Sequence, residues 1–596
     1  QIRLSHEDSS DVTAIAAPFR FWSNDDNDGD ALNNETEIEG STNPDYASRG
    51  DFGIASKRDL EDFARLWLNS AGIADALKSG DMQLGLQWKA DTVTGSPAIN
   101  LYRHYESDGG TKYLTDNATA IQQTTPPYST TLIDAANKNV ISSTNGVFIF
   151  KKELFANLSS SQTKTFLLFE GAGVGKGQLQ LLLLNRNGNQ VGEGSGVWMD
   201  IRRINTMFER VKTTTQYALS SDGIDATMPL PHDYIDPAQV PQPTMGWTAD
   251  DRGEAFVPDP GEDLQNKNYI VFVHGWRQAP AIPPVGVSSS LTYARTMFKR
   301  LWHAGYKGRF AAFRWPTFYG GPGADDDDPL RGYTTYNDSE YRAWKAGQSL
   351  AQYVNQLPSG YKRLIAAHSM GNIVAGSGFK NGMTVDTYAL LNAAVPAICY
   401  QATVQRRWPT FTGIYSNITL HRDYNVPSPT PNAPNSGTPV DDANAVVRDL
   451  SYVGQLSALN GRVVSFYLES DFATSISGNA NNMTFRPNAF ALPLDGSSGY
   501  KYIATLSDPN WRLRLKSFSG SERRVTDVHE VMSYDCKVPT FTSGADGSTG
   551  GSIVKPIDMG AYGFGREHSA QWQWRFHQTA QFYHDLLVEF GLTPTL

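Results

Sequence analysis

Ser369 stands in a run whose residue types suit nucleophilic chemistry. The stretch Arg363-Leu-Ile-Ala-Ala-His-Ser-Met-Gly371 joins an apolar segment, 364–367, to His368-Ser369-Met370-Gly371 and then to Asn372-Ile-Val-Ala375. Small residues two before and two after the serine, Ala367 and Gly371, permit a sharp strand-to-helix turn of the G-x-S-x-G kind, with alanine in the first glycine position. Such a turn lifts the hydroxyl off the strand end and aims the next backbone N–H, that of Met370, and a helix N-terminus at a developing oxyanion. An ordinary serine in a strand–helix turn is the plainer alternative, and the upstream sequence weighs against it. Asn268-Tyr-Ile-Val-Phe-Val-His-Gly-Trp276 reads as a buried strand ending in His274-Gly275-Trp276, which suits the second half of an oxyanion hole with a donor near Trp276.

The elements that must position these residues come in a definite order. A helix is predicted over 290–304 and a strand over 309–315, ending in Trp315-Pro316. Another helix is predicted over 339–357, with Ala343, Ala346, Leu350, Val354 and Leu357 on one face, and then comes the strand into Ser369. Strands alternating with helices predict a parallel sheet. His274-Gly275-Trp276, Arg314-Trp315-Pro316-Thr317, Tyr336-Asn-Asp-Ser-Glu-Tyr-Arg-Ala-Trp344 and Ala367-His-Ser-Met-Gly-Asn372 resemble an uncharacterised group of bacterial α/β hydrolases, themselves similar to serine lipases and esterases. The resemblance covers residues 265–400 well, the rest of the C-terminus loosely and the N-terminal third hardly at all. It implies a Ser-His-Asp triad in the chain order serine, acid, histidine, and no defined substrate.

On that order the base lies downstream of Ser369. His568, in Gly563-Phe-Gly-Arg-Glu-His-Ser569 just before a predicted terminal helix over 571–590, fits best. His577 and His584 fall within that helix, His529 is a weaker rival, and His421 comes too early for an acid to precede it. The acid is Asp471, which follows the β-branched and aromatic strand 463–468, with Asp423 in Asp-Tyr-Asn-Val-Pro427 as the alternative. His274, Trp315, Phe318 and Tyr319 are candidates for lining a substrate pocket, with plain packing as the other reading for the aromatics. The chemistry implied is acyl transfer from an ester, polymeric or lipid-like, through a covalent acyl-serine. An amidase or peptidase using the same residues is an alternative, and so is a non-catalytic surface-attachment protein with a vestigial hydrolase domain.

Two further motifs carry chemistry of their own. Asn24-Asp-Asp-Asn-Asp-Gly-Asp30, with Glu35 beyond, has calcium-loop spacing. Asn24, Asp26 and Asp28 would offer oxygens at positions one, three and five, with Asp30 also in the set, and a structural Ca2+ is expected there; a solvated acidic loop is the bland reading. Catalysis requires no cofactor. Asp325-Asp-Asp-Asp328 reads as a charged loop. Gly171-Ala-Gly-Val-Gly-Lys-Gly177 only superficially suggests a phosphate loop. Glu170 stands where the first glycine belongs, Gly177 replaces the Ser or Thr, and a strand follows where a helix is needed.

Composition bounds the rest. The 596 residues carry 51 Lys+Arg against 61 Asp+Glu, a net charge of −10, which argues against nucleic acid as the main partner. No apolar run approaches the roughly 18 residues of a membrane span. Two cysteines, Cys399 and Cys536, allow one disulfide at most and exclude a cysteine-based zinc site. Charged residues at 19% and abundant Asn, Ser, Thr and Gly lean toward an exported protein, secreted or at the cell surface. With Gln1 first and no signal peptide, the chain reads as a processed form or a piece of a longer one. Seven prolines between Pro229 and Pro260 mark a linker. The expected organisation is a β-rich, sandwich-like accessory domain over 1–228, with one helix over 56–68. A Pro-rich linker over 229–262 follows, and then an α/β-hydrolase domain over 263–596 with a mostly parallel sheet, flanking helices and lid-like insertions around 400–460 and 475–555.

Overall fold

A computed structural model describes residues 3–6, 15–24, 60–132, 141–214, 246–250, 255–258, 267–276, 290–315, 317, 343, 346–393, 462–468, 500–503, 514–517, 522–524, 554–564, 568–572 and 576–595. Its strands are β1 (Arg3–His6), β2 (Phe19–Trp22), β3 (Phe63–Asn69), β4 (Met82–Trp88), β5 (Thr94–Arg103), β6 (Ile141–Ser142), β7 (Phe148–Ile149), β8 (Lys164–Asn185), β9 (Gln190–Glu193), β10 (Val197–Arg202), β11 (Glu209–Thr214), β12 (Gly246–Ala249), β13 (Asn268–Val273), β14 (Arg309–Arg314), β15 (Lys362–His368), β16 (Thr387–Leu391), β17 (Arg462–Tyr467), β18 (Tyr500–Ile503), β19 (Arg514–Ser517), β20 (Glu522–Arg524) and β21 (Val554–Asp558). The helices are α1 (Ala74–Ser79), α2 (Lys112–Thr115), α3 (Asn117–Gln123), α4 (Ser290–His303), α5 (346–355), α6 (Gly371–Lys380) and α7 (Phe576–Glu589).

The 22-residue strand β8 is the spine of a ten-stranded sheet. One of its edges pairs with β3, β10 and β9, the other with β5 and β4. Its glycine run sits where neighbouring chain comes too close for a side chain. A Cβ at Gly171 would lie 2.5 Å from the Trp22 carbonyl oxygen, and one at Gly173 2.5 Å from that of Ser96. These glycines thus serve strand packing, and the segment that superficially suggests a phosphate loop is continuous strand.

The second sheet has eight strands in the order β12-β11-β14-β13-β15-β16-β17-β21. Six of its seven pairings are parallel and the edge pair β11–β12 is antiparallel. Its central strands are continuous apolar runs, Asn268-Tyr-Ile-Val-Phe-Val273 above all, as burial on both faces requires. On one face Val271, Ile365 and Leu390 pack with α5 and α6. Those two helices approach closely because Gly347 has no side chain: a Cβ there would meet the Ser377 Cβ at 2.4 Å. On the other face Phe272, Leu364 and Phe466 join one core with α4, α7 and the inner residues of the first sheet, including Phe21 and Trp22.

This arrangement corrects the expected fold class. Both sheets are mixed, the N-terminal one is a single sheet and not a sandwich, and seven helices are described. That is not an α/β-hydrolase domain with flanking helices preceded by a sandwich-like domain. The expected boundaries also fail locally, since β11 from the supposed accessory domain and β12 from the supposed linker are strands of the second sheet. The helix expected over 56–68 is, in its described part, a short 3-10 turn at Leu60–Asp62 followed by β3. Within the region read as an insertion, β18, β19 and β20 form a small antiparallel sheet. Among the described residues no helix is long and apolar enough to cross a membrane.

Buried charge ties the two sheets together. Lys299 Nζ lies 2.7 Å from Asp62 Oδ1, both side chains fully buried, and Trp22 Nε1 donates to the same carboxylate at 2.5 Å. Next along α4, Arg300 pairs with Glu61 at 2.5 Å and His303 Nε2 donates to the Glu61 carbonyl at 2.7 Å. Removing one partner of such a pair leaves the other buried and uncompensated. Asp62→Ala is therefore expected to lower unfolding stability by about 3–5 kcal/mol, with fluorescence and far-UV signals shifting together in a urea titration. Separate transitions, with only the N-terminal sheet weakened, would contradict this account.

Candidate active site

β15 ends at His368, and Ser369 then takes φ 53° before α6 starts at Gly371. A non-glycine residue in that region is strained by roughly 1–3 kcal/mol and persists only where its surroundings dictate it. Here they do. Ser369 N–H donates to the Leu391 carbonyl at the end of β16, 2.9 Å away. Asn372 Nδ2 donates to the carbonyls of Ala367 at 2.8 Å and Ser369 at 2.9 Å, and Tyr388 Oη–H fixes that amide by donating to its Oδ1 at 2.8 Å. Two missing side chains make room. A Cβ on Gly371 would fall 2.5 Å from the Val273 carbonyl oxygen, and one on Gly275 would fall 2.9 Å from the Ser369 Cβ.

Met370 follows Ser369 as the N-cap of α6, and among the described residues no acceptor takes its N–H. Trp276 sits half-buried just past the end of β13, packed against the core on the α5 and α6 side. The two expected oxyanion donors thus belong to segments that converge on Ser369.

His568 belongs to the short segment 568–572 that precedes α7. Its backbone carbonyl accepts two side-chain hydrogen bonds, from His368 Nε2 at 3.2 Å and from Asn392 Nδ2 at 2.8 Å. The rings of His368 and His568 lie 5.0 Å apart. The same segment is held to α4: Tyr293 Oη–H donates to Ser569 Oγ at 3.0 Å, and Trp572 Nε1 donates to the Tyr293 carbonyl at 3.0 Å. His577 and His584 lie on α7, the latter with Nδ1 2.9 Å from Asp585. His421, His529 and both acid candidates, Asp471 and Asp423, lie outside the described residues. The strand before Asp471 is β17, parallel to β16, so its C-terminal end faces the same edge of the sheet as Ser369 and Asn392.

Among the described residues His274 and Trp315 pack against each other. Each is 2% exposed, and their rings stack at 5.4 Å and 10°. His274 Nδ1 donates to the Gly275 carbonyl at 2.8 Å, its Nε2 accepts from the Trp315 N–H at 3.2 Å, and Trp315 Nε1 donates to the His274 carbonyl at 2.8 Å. This neutral tautomer locks the ends of β13 and β14 together. Burial, with Arg314 nearby, pushes the imidazole down to about 3. Phe318 and Tyr319 lie outside the described residues. Of the calcium set only Asn24 is described, its Nδ2 donating to Glu170 Oε2 at 3.1 Å; Asp26, Asp28, Asp30 and Glu35 lie outside, as do Cys399 and Cys536. Among the described residues no cluster of three or more His, Cys, Asp or Glu could hold a metal.

Two residues of the site escaped sequence reading. His368 is part of the serine motif, yet its role in receiving the His568 segment needs contacts 200 residues apart. Asn392, at φ 42°, stands just past β16, where parallel strands deliver functional residues, and that placement was the available signal. No family model and no curated protein sequence matches the chain.

Burial also sets an acid limit. His368, like His274, is held well below the usual histidine range, first by burial and then by neighbouring His568. Unfolded, both take up protons below their ordinary value of 6.5, while the folded protein cannot. Stability is full above about pH 6.5 and falls as pH drops toward 3, by up to about 1.4 kcal/mol per pH unit per histidine. Urea midpoints measured from pH 7 to 4 check this; a flat profile would contradict neutral burial.

Proposed function

We propose that the protein is a serine hydrolase acting on carboxylic esters, with Ser369 as nucleophile and His568 as base. The observation that carries this reading is the strained φ of Ser369, at the junction of a parallel strand and a helix N-terminus. Strain of that kind collects at functional sites, because ordinary packing does not require it. The reading rests on the site and not on the class of fold, which does not specify a reaction.

In the proposed reaction Ser369 Oγ attacks the ester carbonyl carbon while His568 takes the hydroxyl proton. Backbone N–H groups of Met370 and Trp276 receive the oxyanion, where preorganised donors commonly give the largest rate effect. Collapse of the tetrahedral intermediate expels the alcohol, which takes the proton from His568. Water, deprotonated by the same imidazole, then releases the acid and frees Ser369. Asp471, or Asp423, would orient the imidazole from its second nitrogen.

Hydrolysis of short and long p-nitrophenyl esters, p-nitroanilides as the amide control, and labelling by a fluorophosphonate test the proposal. Wild type should turn over esters and label at Ser369. Ser369→Ala should lose at least about 10³-fold in kcat while melting at the same temperature. Ester turnover that survives Ser369→Ala would overturn the assignment, and turnover of the anilides alone would move it to amide hydrolysis.

A further inference from the structure

The carbonyl oxygen of His568 is held by two side chains from two different strands of the sheet. His368 precedes Ser369 at the end of β15, and Asn392 follows the end of β16. A ring nitrogen facing a carbonyl oxygen must donate, so His368 Nε2 carries the proton. The bare Nδ1 is then buried without a partner among the described residues, beside Gly275. An imidazole kept in that one tautomer has a single hydrogen bond to give, and it gives it to the His568 segment.

Asn392 is committed in the same direction. It and Ser369 are the two non-glycine residues with positive φ among the described residues. Asparagine tolerates that conformation better than most side chains. Its N–H donates to the Phe466 carbonyl of β17 at 2.9 Å, and its side chain donates to the His568 carbonyl at 2.8 Å. One residue therefore joins the end of β17 to the segment that carries the base, and it stands just past β16, the strand that pairs with the nucleophile's own strand.

We propose that Asn392 is a positioning residue for the hydrolytic reaction: its side-chain amide, with the Nε2–H of His368, clamps the His568 backbone and thereby sets the imidazole against Ser369. This rests on the serine hydrolase reading above. Asn392 touches no substrate and acts only through His568.

The test uses the full chain with Asn392→Gly, which keeps access to positive φ and deletes the donor, and Asn392→Asp, which keeps shape and replaces the donor by a carboxylate facing the carbonyl. Both should lower kcat on p-nitrophenyl esters, and the rate of fluorophosphonate labelling, by on the order of 10- to 100-fold, with KM within about two-fold and an unchanged melting temperature. The deciding measurement is a double-mutant cycle: on a His568→Ala background, Asn392→Gly should cost nothing further. An equal loss on both backgrounds, or full labelling rates in both Asn392 variants, would overturn the clamp and leave the Ser369 assignment standing. Failure of the wild type to label would instead overturn the hydrolase reading itself.

Discussion

The strained turn at Ser369 is the constraint that the surrounding structure is built to meet. Holding φ at 53° costs roughly 1–3 kcal/mol. Besides the Asn372 N–H, which donates to the Ser369 carbonyl at 3.1 Å as the helix begins, three hydrogen bonds at the turn oppose it, one from the Ser369 N–H and two from the Asn372 side chain, each contributing about 0.5–1.5 kcal/mol net. The two sides are of similar size, so these bonds together hold the turn. Each also depends on something remote: the Leu391 acceptor exists only while β16 stays in register with β15, and the Asn372 amide points correctly only because Tyr388, on β16, holds it. The glycines at 275 and 371 matter because the ends of β13 and β15 crowd the same point.

Helix α4 carries that constraint across the molecule. Its first turn supplies Tyr293, which stacks over the His368 ring at 5.8 Å and bonds to the Ser569 hydroxyl. Its last turns supply Lys299, Arg300 and His303, which grip Glu61 and Asp62, and Trp302, which lies edge-on to Phe21 and Trp22. The N-terminal sheet is therefore part of what seats the helix that borders the site. A fully buried Lys–Asp pair is weak evidence of net stability, but it strongly penalises any other seating, because a mismatched charge there would be left unsolvated.

What was legible in the sequence was local. The serine turn could be read because its determinants, small residues on either side of Ser369 and an apolar run before it, lie within ten residues. The central strands could be read because burial on both faces leaves β-branched and aromatic runs with no polar interruption. Where pairing with distant chain decides, reading failed. Leu60, Phe63, Ala64 and Trp67 have helical spacing, yet Ala64, Leu66 and Leu68 also alternate, and pairing with β8 selects the strand. Proline density concealed β12, whose partner lies more than thirty residues earlier in β11. His274 and Trp315 look like pocket residues because they follow strand ends; only the fold reveals that each satisfies the other's polar atoms. Asn392 carries only the mark of its place just past β16, since Phe466 and His568, to which it donates, are remote in sequence.

The same burial that makes His368 and His274 acid-sensitive serves the proposed chemistry. A base that becomes imidazolium during reaction must not face a second cation. At the 5.0 Å that separates the rings of His368 and His568, two unit charges would repel by about 3 kcal/mol at an effective dielectric of about 20. That is about a hundred-fold in rate if borne by the transition state alone. Desolvation removes the conflict by keeping His368 neutral, and the carbonyl of His568 fixes which nitrogen keeps the proton. A smaller apolar side chain at 368 would also be neutral, but it would donate nothing to the segment that carries the base. A lysine would donate, and would bring the charge. Neutral histidine meets both demands, which gives a physical reason for an imidazole rather than a plain spacer in the position before Ser369.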